Sequence, residues 1–333
     1  MMKVAIIGTT SWGTTLGVML ARRGIDVALW ARTKEEAEGL ARDGENNARL
    51  PGIPFPKGLF PTSAIEEALQ GASLVILAVP SQEMRRNVRL MKGHIAEGVP
   101  ILSASKGLET GSAKRMTQVI AEELDPEHRS KICVLSGPNL SKEIARGLLA
   151  ATVIAAHDDK VAERVSEIMH SPSFQVYPSE DVVGVELGGA LKNIIALGAG
   201  MVDGLGYGDN AKAAYMARGL TEIAGLGAAL GADPITFLGL AGLGDLLATC
   251  ASTLSRNHTL GEGLAKGRSI EEVMASLGST VEGVPTTAAA LKLARELGVA
   301  MPITEQIYRV LFEGFDPAQA MAELIGGSKS RHS

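Results

Sequence analysis

A chain of 333 residues, 46% hydrophobic and 21% charged, can bury a sizeable core and has room for two domains. Its net charge of −5 argues against generic binding to nucleic acid or to an anionic membrane, so an anionic ligand has to meet a local cluster of Lys and Arg. The two cysteines, Cys133 and Cys250, lack the spacing of a metal or redox pair and read as small buried hydrophobes in a reducing, cytoplasmic setting.

The opening "MMKVAIIG" enters a short apolar strand and then glycine, without the longer apolar region and cleavage site of a signal peptide. Lys192 and Asp233 break the two longest apolar runs before they reach the ~18–20 residues of a membrane span, so no membrane insertion is expected.

Short β-branched runs then recur at 3–8, 25–30, 74–79, 100–105, 132–137 and 151–156, alternating with helical segments. Continuous apolar runs of this length imply strands covered on both faces, joined by right-handed crossovers. Ser63 with Glu66 forms a capping-box pattern before "AIEEAL", and Gly24 closes the first helix. From about 171–185 onward the alternation stops, and the remaining sequence is Gly- and Ala-rich with a helical period. The expected class is therefore α/β: a Rossmann-type doubly wound sheet followed by an all-α C-terminal domain. The expected limits are 1–182 for the dinucleotide-binding domain, 183–326 for the helical substrate domain and 327–333 for a disordered tail.

The first strand runs into "GTTSWG" at 8–13 and then a helix, the context in which GxGxxG binds a dinucleotide. Gly8 supplies the tight turn and Gly13 the close helix packing, while the helix N-terminus offers N–H groups to a pyrophosphate. Thr10 replaces the middle glycine, so its side chain should hold a pyrophosphate further off, unless its hydroxyl stands in for a backbone contact. After the second strand, "WART" provides Arg32 and Thr33 where an acidic residue would select NAD, which favours NADP(H) and leaves NAD(H) open.

Polar residues at the carboxyl ends of later strands are Lys106, then Gly137, Asn139 and Ser141. The helical region adds Lys192 with Asn193, Asp245 with Thr249, and Ser255, Arg256, Asn257 and His258. Lysines, an arginine and amide or hydroxyl donors around one carboxylate suit a small phosphorylated polyol or keto compound. Each has a plainer reading: Lys106 and Arg256 as solvated surface charges, Asp245 as a helix-opening residue, His258 as a structural histidine. Lys192 is different, because Gly188, Gly189, Ile195 and Ala196 give it no charge partner on its own helix. Its partner has to come from elsewhere in the fold.

The chain resembles the bacterial soluble NAD(P)-dependent glycerol-3-phosphate dehydrogenases over nearly its full length. The resemblance is carried by "GTTSWGTTL", "SASKGLE", "SGPNLSKEIARG", "ELGGALKNIIALGAGMVDGLGYGDNAKAA" and "GLAGLGDLLATCASTLSRN", followed by "VEGVPTT". It implies that Ser11 and Trp12 contact the cofactor, with Arg32 and Thr33 near the adenosine ribose and Ser141 at a further cofactor position. Lys106, Gly137 and Arg256 would line both cofactor and substrate. Lys192 matches the catalytic lysine, Asn193, Asp245, Thr249, Ser255, Arg256 and Asn257 match the substrate pocket, and Thr280 and Glu282 match a loop that closes over the cofactor. Asn139 stands where the family more often has serine, which bears on how substrate is held.

The implied reaction interconverts dihydroxyacetone phosphate and glycerol 3-phosphate, a small phosphorylated three-carbon substrate, with Lys192 as general acid and base. The resemblance also implies a homodimer and a role in supplying phospholipid synthesis. Dehydrogenases acting on 3-hydroxy acids, 6-phosphogluconate or ketopantoate share the layout, but "GGALKN" with "LSRN" points to the glycerol phosphate enzyme. The alternative outside enzymes is a dinucleotide-sensing module without turnover; Thr10 favours it, and Lys106, Lys192, Asp245 and Arg256 together oppose it.

Overall fold

The computed structural model describes residues 2–252, 254–278 and 280–325, so the tail expected at 327–333 lies outside the described residues. The chain forms two compact units. The first holds residues 1–105 and 116–182; the second holds 106–115 together with everything from 183 onward.

The first unit is built on eight strands: β1 (Lys3–Ile7), β2 (Asp26–Trp30), β3 (Leu59–Thr62), β4 (Leu74–Leu77), β5 (Ile101–Ser103), β6 (Ile132–Ser136), β7 (Ala150–Ala156) and β8 (Phe174–Ser179). They lie in the order β3-β2-β1-β4-β5-β6-β7-β8, with every pairing parallel except β6 with β7. Side chains alternate between two cores: Val4, Ile6, Leu74 and Ile76 pack on one face, Ala5, Ile7, Val75 and Leu77 on the other. That two-sided burial is why these strands read as unbroken apolar runs.

Connecting the strands are α1 (Ser11–Arg22), α2 (Lys34–Asp43), α3 (Ile65–Leu69), α4 (Met84–Met91), α5 (Met116–Glu123), α6 (Ser141–Ala145) and α7 (Asp159–Met169). Gly24, with φ +80°, follows the end of α1 as its sequence signal implies. Three features depart from the sequence reading. β3 and β8 were not expected; both are edge strands, and each contains a proline, Pro61 or Pro178, which an edge tolerates because one side needs no ladder donor. The 151–156 run pairs antiparallel to β6, since α6 has only five residues and cannot carry the chain back along the full length of a strand. The Ser63–Glu66 capping box does not form: Thr62 Oγ1 accepts from Ala64 N–H at 3.2 Å and donates to Glu67 Oε2 at 2.5 Å instead.

The second unit contains α8 (Val182–Gly204), α9 (Gly208–Ala229), α10 (Asp245–Ala251), α11 (Arg256–Ala265), α12 (Ile270–Leu277), α13 (Gly283–Leu297), α14 (Pro302–Phe312) and α15 (Pro317–Ile325). By length and composition α8 qualifies as a membrane span, but 94% of its apolar window is buried here, which makes it the core helix of this unit. Its small residues let neighbours approach backbone to backbone. A Cβ at Gly188 would lie 2.6 Å from the Ala241 carbonyl oxygen, and one at Gly200 would run into the His258 carbonyl.

Two buried carboxylates fix the periphery of this unit. Glu222 on α9 accepts from the Ile303 and Thr304 N–H groups at 2.7 and 2.8 Å and from the Thr304 hydroxyl at 2.7 Å, supplying the acceptors that the first turn of α14 lacks. Glu186 on α8 takes Arg115 at 2.7 Å, tying the 106–115 segment down.

Candidate active site

In the first unit, β1 ends at Gly8, whose φ of +113° and lack of space for a Cβ, 2.7 Å from the Ala78 carbonyl oxygen, require glycine. Gly13 packs against the Gly8 carbonyl with no room for a side chain. Thr10 has ordinary extended angles, φ −63° and ψ 164°, so the turn does not need a glycine there. Its hydroxyl donates to Ala78 O at 2.8 Å and accepts from Gly13 N–H at 3.0 Å, capping α1.

The N–H groups of Ser11 and Trp12 have no acceptor within the helix, and the buried Trp12 Nε1 has no partner among the described residues. These donors at a positive helix end fit an anionic pyrophosphate. Residues that the sequence did not single out hold the loop in place. Asn46 Nδ2 donates to Thr9 O at 2.9 Å and to Thr14 Oγ1 at 2.8 Å, Ser11 Oγ donates to Arg49 O at 2.5 Å, and Thr9 donates to Glu36 Oε1 at 2.5 Å. Nothing in a motif of glycines signals them.

Arg32 is exposed, and Thr33 caps α2 by accepting from Glu36 N–H at 3.2 Å. At the end of β6, a Cβ on Gly137 would lie 2.9 Å from Thr152 Cα. Asn139 Oδ1 lies 3.0 Å from the Thr152 hydroxyl, while its Nδ2 is buried without a partner among the described residues. Ser141 opens α6, and its carbonyl accepts from Thr15 at 3.2 Å.

In the second unit, Lys192 finds its partners on α10. Its Nζ lies 2.6 Å from Asp245 Oδ1 and 2.5 Å from Thr249 Oγ1. Asp245 and Thr249 are one helical turn apart and so share a face. Lys106 Nζ takes the other carboxylate oxygen, Asp245 Oδ2, at 2.6 Å. Asp245 opens α10 directly after a π-helical turn at Leu240–Gly244, an irregularity often found where a helix presents a functional group. One carboxylate thus binds two lysines in a nearly dry pocket, with side-chain exposures of 2% for Asp245, 8% for Lys192 and 18% for Lys106. Burial pushes Lys106 down to about 8; Asp245 resists this and Lys192 adds to it.

Beside this cluster, Asn193 Oδ1 accepts from Asn257 Nδ2 at 2.9 Å, and Asn257 Oδ1 accepts from Gly283 N–H at 2.9 Å. Ser255 caps α11 by accepting from His258 N–H at 3.2 Å, which leaves Arg256 exposed as the first helical residue. His258 Nε2 lies 2.6 Å from Asp203 Oδ2, which also takes Lys212 Nζ at 2.5 Å. Burial pushes the Asp203 carboxyl up, but the bonds from Lys212 and His258 prevail and hold it below the usual carboxylate range. Thr280 is exposed and the partly buried Glu282 precedes α13.

The structure therefore gathers Lys106, Lys192, Asp245 and Thr249 into one bonded group, and Asn193 with Asn257 into a second. Cys250, one residue beyond Thr249, is buried, and burial pushes its thiol up to about 12, which makes it a poor nucleophile.

Family models described as the N-terminus and the C-terminus of NAD-dependent glycerol-3-phosphate dehydrogenase match residues 3–162 and 181–322. A Dehalococcoides mccartyi protein named glycerol-3-phosphate dehydrogenase (NAD(P)+) is 54% identical over 326 residues, covering 98% of this chain and 91% of its own. A Moorella thermoacetica protein of the same name is 48% identical, covering 97% of this chain and 95% of its own. The crystal structure of glycerol-3-phosphate dehydrogenase from Coxiella burnetii superposes with a TM-score of 0.93 at 36% identity, covering 98% of this chain and 99% of its own.

Proposed function

The chain belongs to the NAD-dependent glycerol-3-phosphate dehydrogenase family of oxidoreductases, and from that premise we propose that it interconverts dihydroxyacetone phosphate and sn-glycerol 3-phosphate with Lys192 as general acid and base. The observation that carries this reading is the state of the Lys192 ammonium. Two of its three donors are taken by Asp245 and Thr249 among the described residues, which leaves one N–H for a substrate oxygen.

In the reducing direction that N–H gives its proton to the C2 oxygen; in the oxidising direction neutral Lys192 removes the C2 hydroxyl proton. The nicotinamide, when bound, supplies or accepts the hydride. Gly8, Ser11, Trp12 and Gly13 hold the pyrophosphate, with Thr10 turned to cap the helix. Arg32 and Thr33 meet the adenosine ribose, which favours NADP(H) while NAD(H) is accepted. Arg256 and Asn257, aided by Ser255 and Asn193, hold the substrate phosphate through charge-assisted hydrogen bonds. Gly137, Asn139, Ser141, Thr280 and Glu282 complete the cofactor and substrate contacts, as the family resemblance implies. The same resemblance supports a homodimer that feeds phospholipid synthesis, and the two buried, free cysteines support a cytoplasmic setting.

The test is loss of reduced-nicotinamide absorbance on adding dihydroxyacetone phosphate to the purified protein with NADPH, and in parallel with NADH. Rapid substrate-dependent oxidation is expected, faster with NADPH. A folded sample that oxidises neither nucleotide overturns the reaction.

Lys106 sets the pH dependence. With both lysines protonated the trio carries one net positive charge, which attracts the substrate phosphate; above a pH of about 8 Lys106 loses its proton and that attraction falls. KM for dihydroxyacetone phosphate should therefore rise above pH 8, and Lys106→Arg, whose guanidinium stays charged, should shift the rise upward. A KM profile identical in wild type and Lys106→Arg would assign the alkaline limb to another group.

A further inference from the structure

We propose that His258 is a positioning residue: through its hydrogen bond to Asp203 it sets the orientation of the Arg256–Asn257 turn, and so the grip on the substrate phosphate. The inference rests on the reading that this turn holds the phosphate.

α8 and α11 meet backbone to backbone. Gly200 abuts the His258 carbonyl and Gly261 abuts the Leu197 carbonyl, with no space for a Cβ on either glycine. Contact this close limits the distance between the helices, yet a smooth glycine surface does little to fix how α11 is turned about its own axis. Besides the packing of Leu260 and Leu264 in the core, two side chains restrict that freedom by specific bonds. Asn257 reaches Asn193, the neighbour of Lys192 on α8, and also the N–H that opens α13. His258 reaches Asp203, near the end of α8.

Successive helical residues point about 100° apart, so anchors at 257 and 258 act in different directions and together fix the rotation. Arg256, one residue earlier on the same turn, inherits its direction from both. A carboxylate only accepts, so Nε2 carries the hydrogen in this bond. Asp203 is itself held from α9 by Lys212, which makes it a fixed post rather than a swinging acceptor. His258 is 7% exposed and the Asp203 side chain 31%, so the bond is shielded from water on the histidine side while the carboxylate keeps an edge in solvent.

A histidine that merely fills space would give the same burial, and the experiment separates the two. The full chain is compared with His258→Leu, His258→Gln, Arg256→Ala and the double variant His258→Leu/Arg256→Ala. The measurements are kcat, KM for dihydroxyacetone phosphate with saturating NADPH, and calorimetric affinity for inorganic phosphate. His258→Leu should raise KM and weaken phosphate binding about tenfold, as expected for a lost hydrogen bond to a charged group, with kcat within about twofold. His258→Gln, which keeps an N–H for Asp203, should recover most of the loss. In the Arg256→Ala background the leucine should add almost nothing, because the residue it positions is gone.

Unchanged phosphate affinity in His258→Leu overturns the proposal, as do equal losses in the leucine and glutamine variants or a fully additive double variant. Should His258→Leu fail to fold, Asp203→Ala removes the acceptor of the bond; a KM rise with steady kcat supports the role, and a wild-type KM overturns it. If the wild-type protein turns over no dihydroxyacetone phosphate, the reaction reading fails, and the phosphate affinities still decide the role of His258.

Discussion

Lys192→Ala should lower kcat by about 10³-fold or more while leaving NADPH affinity near that of wild type. The fall is expected from the proposed role, because among the described residues Lys192 bonds both Asp245 and Thr249 while Lys106 engages the opposite carboxylate oxygen. Nucleotide affinity is spared because the glycine loop at residues 8–13 is built within the first unit by its own contacts to Ala78 and Asn46. Lys192→Arg sharpens the result, since a guanidinium retains the charge but does not deprotonate near neutral pH. If the arginine variant kept a near-normal rate, the role of Lys192 would be electrostatic; if the alanine variant did, the lysine would have no part in the mechanism. Steady-state turnover and nucleotide titration of the three proteins decide between these outcomes.

Asp245→Asn should destabilise the folded chain by about 3–5 kcal/mol at neutral pH, the usual effect of removing one partner of a buried ion pair. Lys106 and Lys192 would then face each other with no anion between them, in a pocket where the carboxylate they share is only 2% exposed. The pH dependence has a definite sign. Lys106 titrates at about 8 in the folded chain against 10.5 unperturbed, so between those values the unfolded chain binds more protons and stability rises with pH. Without Asp245 the folded value drops further and that window extends below 8, so the variant should regain part of its loss as the medium becomes alkaline. Urea titration of both proteins across this range provides the check; an asparagine variant as stable as wild type at neutral pH would mean the trio carries no buried charge that needs compensation.

The buried strands were legible because burial on both faces writes them as unbroken apolar runs. The edges were not: β3 and β8 are incompletely buried and interrupted by Pro61 and Pro178, features that in isolation describe loops. The Ser63–Glu66 pattern misled because a threonine one residue earlier offered the backbone a better partner. Within the site, the need of Lys192 for a distant partner followed from its helix alone, since its turn-spaced neighbours carry no charge. The identity of the partner did not, because Asp245 lies 53 residues away and spacing says nothing at that range. Thr10 illustrates the limit of motif reading: it was legible as a departure, but that its hydroxyl caps Gly13 and anchors to Ala78 depends on the end of another strand. Asn46 left no signal, and His258 was legible only as a candidate without a partner, because their bonds reach residues remote in sequence.

The excursion of residues 106–115 bears on how such a chain can be recombined. Because Lys106 and Arg115 belong to the second unit, where they bind Asp245 and Glu186, that unit is assembled from two stretches of chain separated by much of the first. A chimera made by a single crossover at 182 would graft a helical half adapted to one decapeptide onto a partner encoding another. Exchange between relatives by one junction is thus constrained to chains whose 106–115 segments already match, whereas a two-junction graft carrying that decapeptide along is free to move.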